Sequence, residues 1–244
     1  MVALSSIIRQ NYEGVMERIQ RAAQSAGRTA ENVRLVVVTK AQPVEVVRAA
    51  IEAGARVLGE NYPEESQPKI IELGHQGGVE WHMIGHLQSR KAGIVAEHFD
   101  MFQSLDSLRL AEKLERQLAD RDRVLPVLLE LNVGGEESKS GWQAADEELW
   151  EALLPEVEAV LALPHLAVRG LMTMPPLFDD PEEARPYFVR LRRLGEFLAH
   201  RFGTDHFQAY SMGTSADFEA AVQEGATLVR VGTAIVGPRP RKGA

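Results

Sequence analysis

The chain of 244 residues contains no cysteine. That excludes disulfides, thiolate metal sites and cysteine nucleophiles. It also lacks an excess of positive charge. The formal net charge is −8 at pH 7, whereas broad nucleic-acid binding needs a basic face. An acidic protein can still hold a small anion, because a pocket sets its own local charge. No run approaches the roughly 18 apolar residues that span a bilayer. The opening MVALSSIIRQNYEGVMERI has no cationic start, no long apolar stretch and no cleavage-like site, so it does not read as a secretory signal. The expectation is a cytoplasmic protein with neither membrane nor nucleic-acid partners.

What is present is a regular alternation. LSSIIRQNYEGVMERIQRAAQSAG reads as a leading helix that ends at Gly27. RLVVVT (34–39) follows, a continuous apolar run of the kind buried on both faces in a parallel sheet. Further strand patterns lie at 56–60, 79–85, 101–105, 124–133, 166–174, 206–212 and 227–232. Helical patterns separate them: 43–54 with Pro43 in its first turn, the segment after Asp106 with that residue as N-cap, 143–161 and 215–225 among them. Eight strands alternating with helices imply right-handed βαβ units. The predicted fold is an α/β (β/α)₈ TIM barrel with an extra N-terminal helix, one domain over 1–244, with a doubly wound open sheet as the alternative. A length of roughly 250 residues is typical of one such barrel.

Barrels of this type carry their chemistry at the C-terminal ends of the strands. Lys40 directly follows VVVT. It either ends a strand in solvent or stands partly desolvated, with a lowered pKa that frees its amine as a nucleophile. Ser211, Gly213, Thr214 and Ser215 form a small hydroxyl-rich turn after the seventh strand, and VGTA (231–234) is a second glycine turn after the eighth. Those two loops often bind phosphate in such barrels; the alternative is plain capping, with Ser215 as an N-cap. Arg230 interrupts the apolar run LVRVG, so it should face a ligand or a carboxylate near the mouth. His82 and His86 have H-x₃-H spacing, but on a strand they sit too far apart for joint ligation, and no metal site is expected.

Five ordered blocks closely resemble the pyridoxal phosphate homeostasis protein family, single-barrel relatives of alanine racemase: LVVVTKAQPVEVVRAAIEAGARVLGENYPEE, WHMIGHLQSRK, LELNVGGEESKSGW, VRGLMTMPP and YSMGTSADFEAAVQEGATLVRVGTAIVGPR. The resemblance implies a barrel like the alanine racemase N-terminal domain, with pyridoxal 5′-phosphate (PLP) held as a Schiff base on Lys40. It implies that Ser211, Gly213, Ser215, Gly232 and Thr233 cup the phosphate and that Arg230 faces the pyridine nitrogen. It also places Asn61 beside the cofactor and Met212 near it. The chain departs from many relatives at Arg90, where asparagine is common, and at TKAQP, which lacks a second lysine after the first.

Two functions follow from the resemblance. One is a PLP carrier in intracellular PLP homeostasis, which buffers PLP and supplies it to PLP-requiring apoenzymes without dedicated catalysis. The other is a PLP-dependent amino-acid racemase, which needs a second proton donor. Alanine racemase draws that donor from a second domain, and this sequence ends at Ala244 just past the eighth strand, so the carrier and a monomer are expected. A third reading, a phosphate-binding barrel enzyme that uses Lys40 directly, would need an acid such as Glu60 or Glu130 as its base.

Overall fold

The computed structural model describes residues 2–239; Met1 and residues 240–244 of the expected 1–244 domain lie outside the described residues. Eight parallel strands close on themselves: β1 (Arg34–Val38), β2 (Val57–Glu60), β3 (Glu80–Met83), β4 (Met101–Leu105), β5 (Leu125–Asn132), β6 (Leu166–Met172), β7 (Ala209–Thr214) and β8 (Leu228–Val231). Closure is made by β8 on β1, with Val36 beside Arg230 and Val37 beside Val231. This rules out the open doubly wound sheet.

Two-sided burial explains the continuous apolar runs. Val36, Val57, Ile84, Leu128, Met172 and Leu228 form a cluster inside the barrel. Their sequence neighbours Val37, Leu58, Leu129, Leu171 and Val229 belong to the larger core under the helices. Each such side chain contributes roughly 1.5–3 kcal/mol when removed from water, so a one-residue register slip is costly on both faces. Glycines fit where strands or side chains come too close for a Cβ. At Gly170 a Cβ would lie 1.8 Å from the carbonyl oxygen of Ala209 on the next strand.

The helices are α1 (Val2–Ser25), α2 (Val44–Ala53), α3 (Pro63–Leu73), α4 (Ala92–His98), α5 (Leu108–Ala119), α6 (Trp150–Leu161), α7 (Arg185–Phe202), α8 (Phe218–Gln223) and α9 (Thr233–Val236). The leading helix α1 packs on the outer ring against α2, α8 and α9. Asn11 donates from its amide to the Ile235 carbonyl at 3.0 Å, Tyr12 donates to the Gly54 carbonyl at 3.1 Å, and Arg18 lies over the Phe218 ring while pairing with Glu219.

Several boundaries differ from the sequence reading. Pro43 is the cap of α2 rather than part of its first turn. Asp106 does not cap α5: Ser107 holds the cap position, and the Asp106 carboxylate instead pairs with His86 at 2.9 Å and accepts from the Ser107 hydroxyl. The helix expected over 143–161 starts only at Trp150. Trp142 and Gln143 pair in parallel with the end of β5, and a 3₁₀ turn follows. β7 starts later than expected, because Thr204–His206 form a 3₁₀ turn, and it runs on to Thr214. Ser215 is not an N-cap either. Asp217 precedes α8 and its carboxylate accepts from the Thr214 backbone at 2.6 Å.

Gly170→Ala is expected to lose at least about 3 kcal/mol, since the clash is with backbone and cannot relax by a rotamer change. Urea denaturation measures this; a near-neutral result would mean that β6 and β7 do not run this close.

Candidate functional site

The C-terminal end of β1 turns sharply. The Gln42 N–H donates to the Thr39 carbonyl at 3.1 Å, and between them Ala41 sits at φ +57°. That left-handed conformation costs a non-glycine residue roughly 1–2 kcal/mol. Lys40, on this turn, is half-buried. Burial pulls its amine pKa down, Arg239 and Arg230 pull it further, and Glu60 opposes them. No hydrogen bond or ion pair holds this amine among the described residues. Arg239 is kept near because the Gln42 amide donates to the Pro238 carbonyl at 3.2 Å. Glu60 is not a free base. It is fully buried, ion-paired with Lys69, and accepts from Thr39 at 2.8 Å and from Ser66 at 3.2 Å.

Arg230 is 4% exposed, inside the barrel near the mouth. It meets no carboxylate at ion-pair distance among the described residues. Its guanidinium donates to the Ser211 hydroxyl at 2.6 Å and to the Thr173 carbonyl at 2.8 Å. Burial lowers its pKa to about 10, which leaves it charged at neutral pH. The Ser211 hydroxyl is thus committed inside the barrel, where it also donates to Gln103 at 2.6 Å. It supports Arg230 and does not join the turn that was expected to cup a phosphate. Met212 points the other way along the strand, into the core under the helices, so its side chain is not at the mouth.

The two glycine turns do come together. Gly213 has φ +88°, and a Cβ there would lie 2.5 Å from the Ala221 Cβ and 2.9 Å from the Phe218 backbone. The Ser215 hydroxyl accepts from the Gly232 N–H at 3.3 Å, which bridges the turns after β7 and β8. At Gly232 a Cβ would meet Val38 at 3.2 Å, beside the Lys40 turn. Thr233 is exposed and opens α9, where its N–H and that of Ala234 have no intrahelical acceptor. Lys40, Arg230, Ser215, Gly232 and Thr233 therefore share the mouth over three adjacent strands.

Three further polar groups stand near strand ends without a partner among the described residues. The Asn61 Oδ1, Ser104 Oγ and Glu130 Oε2 atoms are buried and make no hydrogen bond. Gly85 lets Asn61 sit close, since a Cβ there would lie 2.8 Å from the Asn61 Cα. Burial and the Asp106 charge raise the Glu130 pKa to about 7, against the opposing pull of Arg230 and His86. Its environment leaves no trace in the local sequence, because the charges that act on it come from other strands and loops. His82 and His86 have separate partners. His82 is fully buried against Gln103, while His86 is exposed, with both Asp106 and Ser140 on its Nδ1. Because serine and carboxylate meet the same nitrogen, that trio is not a proton relay. Arg90 donates to the Gln88 side-chain oxygen at 3.1 Å.

A parallel barrel with a half-buried lysine after β1 and glycine turns after β7 and β8 is the class described as alanine racemase, N-terminal domain, which residues 12–240 match. The fold is similar to alanine racemase of Clostridium difficile, with a TM-score of 0.70 at 16% identity over 97% of this chain and 57% of that one. Nearer relatives narrow the class. The chain is 38% identical over 237 residues to the pyridoxal phosphate homeostasis protein of Vibrio alginolyticus, covering 96% of this chain and 98% of that one. It is 36% identical, with a TM-score of 0.88 and 96% coverage of both chains, to a protein from Bifidobacterium adolescentis. PipY of Synechococcus elongatus, solved with PLP bound, is 34% identical with a TM-score of 0.75, covering 90% of this chain and all of that one. The chain belongs to the pyridoxal phosphate homeostasis protein family. Among the described residues, no helix is long and apolar enough to cross a membrane.

Glu130 gives this site a pH signature. Its folded pKa of about 7 lies above the ordinary carboxylate value, so the protein holds an extra proton relative to the unfolded chain. The stability this provides is fully present below about pH 4 and is lost as pH rises through 7, roughly 3 kcal/mol in all. Glu130→Gln should remove that slope and be the more stable form at pH 8. Parallel stability–pH curves for the two proteins would contradict it.

Proposed function

We propose that this protein holds PLP covalently on Lys40 as a Schiff base. In this reading it acts inside the cell as a buffer of PLP and a source for PLP-requiring apoenzymes. The observation that carries the reading is the Lys40 amine, unpartnered and half-buried, set between buried Arg230 and the bridged turns of Ser215 and Gly232. The donor set fits the group. Two glycine turns with free backbone N–H groups suit a phosphate, and the cations Lys40, Arg230 and Arg239 give that side of the mouth a positive character. Asn61 Oδ1 is a buried acceptor that still lacks a donor. The homeostasis protein of Vibrio alginolyticus and PLP-bound PipY support the same assignment.

Ser215, Gly213, Gly232 and Thr233 then hold the phosphate, with Ser211 and Met212 acting from behind the site. Bound PLP supplies an electron-withdrawing ring next to an imine. Arg230 at its ring nitrogen is a permanent cation, which disfavours protonation of that nitrogen and weakens the ring as an electron sink. That suits storage better than amino-acid racemization, so we assign no dedicated catalysis. One barrel domain, monomeric and cytoplasmic, completes the reading.

Borohydride reduction followed by peptide mass mapping should place the PLP adduct on Lys40, and Lys40→Ala should carry none. A reduced adduct on another lysine overturns the assignment. Ser215→Ala and Thr233→Val should each weaken PLP retention by about 1–2 kcal/mol, the worth of a hydrogen bond to a charged group. Unchanged retention in both would move the phosphate elsewhere. Racemase assays across several amino acids should give little turnover; fast turnover would favour the racemase.

A further inference from the structure

The barrel interior carries a polar chain that the proposed site does not by itself require. Arg230 donates to Ser211 at 2.6 Å, and the Ser211 hydroxyl donates to the Gln103 carbonyl oxygen at 2.6 Å. Gln103 Nε2 meets His82 Nδ1 at 2.8 Å, and His82 Nε2 meets Glu80 at 3.2 Å. Glu80 in turn pairs with Arg34 at 2.7 Å. Ser211, Gln103 and His82 are fully buried, whereas Glu80 and Arg34 are each 43% exposed. Arg34 and Glu80 are the first residues of β1 and β3, so the chain runs from the mouth to the opposite end of the barrel.

Every link has one workable direction. A carboxylate only accepts, so Glu80 takes the ring proton on His82 Nε2. Burial lowers the His82 pKa and keeps the ring neutral, which leaves Nδ1 as an acceptor. Nδ1 can then accept only the Gln103 amide N–H, and this turns the Gln103 carbonyl oxygen toward Ser211. The serine proton goes to that oxygen, and the serine lone pairs are left facing Arg230. A doubly protonated His82 would flip Gln103, set an N–H against Ser211 and strand the hydroxyl proton. Apolar residues would fill these positions at less desolvation cost.

We propose that Gln103 and His82 are positioning residues for Arg230, fixing through Ser211 the direction in which its guanidinium is presented at the mouth. This inference rests on the reading in which Arg230 meets the ring nitrogen of PLP, although the chain itself is a property of the protein alone. Neither residue touches the ligand. They act by denying Arg230 any other orientation, with the Thr173 carbonyl as its second anchor.

The first test uses the full chain without ligand. Nitrogen-15 NMR of the imidazole should show His82 neutral at pH 7 with its proton on Nε2. A charged ring, or a proton on Nδ1, reverses the direction of the chain and overturns the proposal. The second test uses the PLP-loaded protein. Gln103→Leu and His82→Phe should release PLP about tenfold faster, the worth of one hydrogen bond to a charged group, and should shift the absorption maximum of the bound cofactor. His82→Asn places an acceptor oxygen near the lost Nδ1 and should restore most of both. If Gln103→Leu keeps its thermal stability together with an unchanged release rate and spectrum, the chain is only packing and the proposal fails. Failure of wild-type Lys40 to take up PLP would sink the cofactor reading instead. The His82 tautomer, and the change in Arg230 side-chain resonances of ligand-free Gln103→Leu, would still decide the positioning.

Discussion

A guanidinium inside a barrel is the constraint on which the rest of this architecture turns. Arg230 lies among the interior side chains of β8 without a carboxylate at contact distance among the described residues. Such a charge is tolerated only when its donors are satisfied. The barrel answers with a serine hydroxyl and a backbone carbonyl, and the hydroxyl is then supported by an amide and an imidazole. The interior is therefore not a uniform apolar plug. Val36, Leu128 and Leu228 fill one part, and a line of polar groups threads the remainder beside the buried carboxyl of Glu130.

The mouth divides by charge. On the side of β7, β8 and β1 stand Lys40, Arg230 and Arg239, together with backbone N–H groups from two glycine turns. Of the acids nearby, Glu60 is already matched by Lys69, and the Asp217 carboxylate accepts from the Thr214 backbone and hydroxyl. On the side of β4 and β5 stand Asp106 and the near-neutral carboxyl of Glu130, with His86 between them and solvent. A ligand with a doubly charged end and a less polar ring is thus offered an oriented field. A protein of net charge −8 keeps its positive character where an anion would enter.

Much of this was legible in the sequence, and the reasons differ by residue. The strands could be read because a parallel sheet buried on both faces writes continuous apolar runs. Lys40, Gly213 and Gly232 could be read because the ends of those runs mark the mouth. The place of the Ser211 hydroxyl inside the barrel could not be read, because a hydroxyl-rich turn does not reveal where the strand stops. Asp106 was misread because a local cap preference lost to a histidine 20 residues away. The partnership of Ser211 with Gln103 spans 108 positions, and no local pattern encodes it. The raised pKa of Glu130 was equally hidden, since Asp106 reaches it only from the end of the neighbouring strand, 24 positions away in sequence. Ala41 gives no sign in the sequence of its left-handed backbone.

The pairing of the last strand with the first has a consequence in time. β1 and β8 stand at opposite ends of the barrel sequence, so their contact is among the last that a growing chain can make. Synthesis from the N-terminus proceeds at roughly 5–20 residues per second. Roughly 10–40 s therefore separate the synthesis of Lys40 from that of Arg230 and the final glycine turn. During that interval its amine has no anion pocket beside it, and an aldehyde that reached it would find little to retain it. The pocket is assembled only by the act of closing the barrel, so ligand capture reports on completed folding.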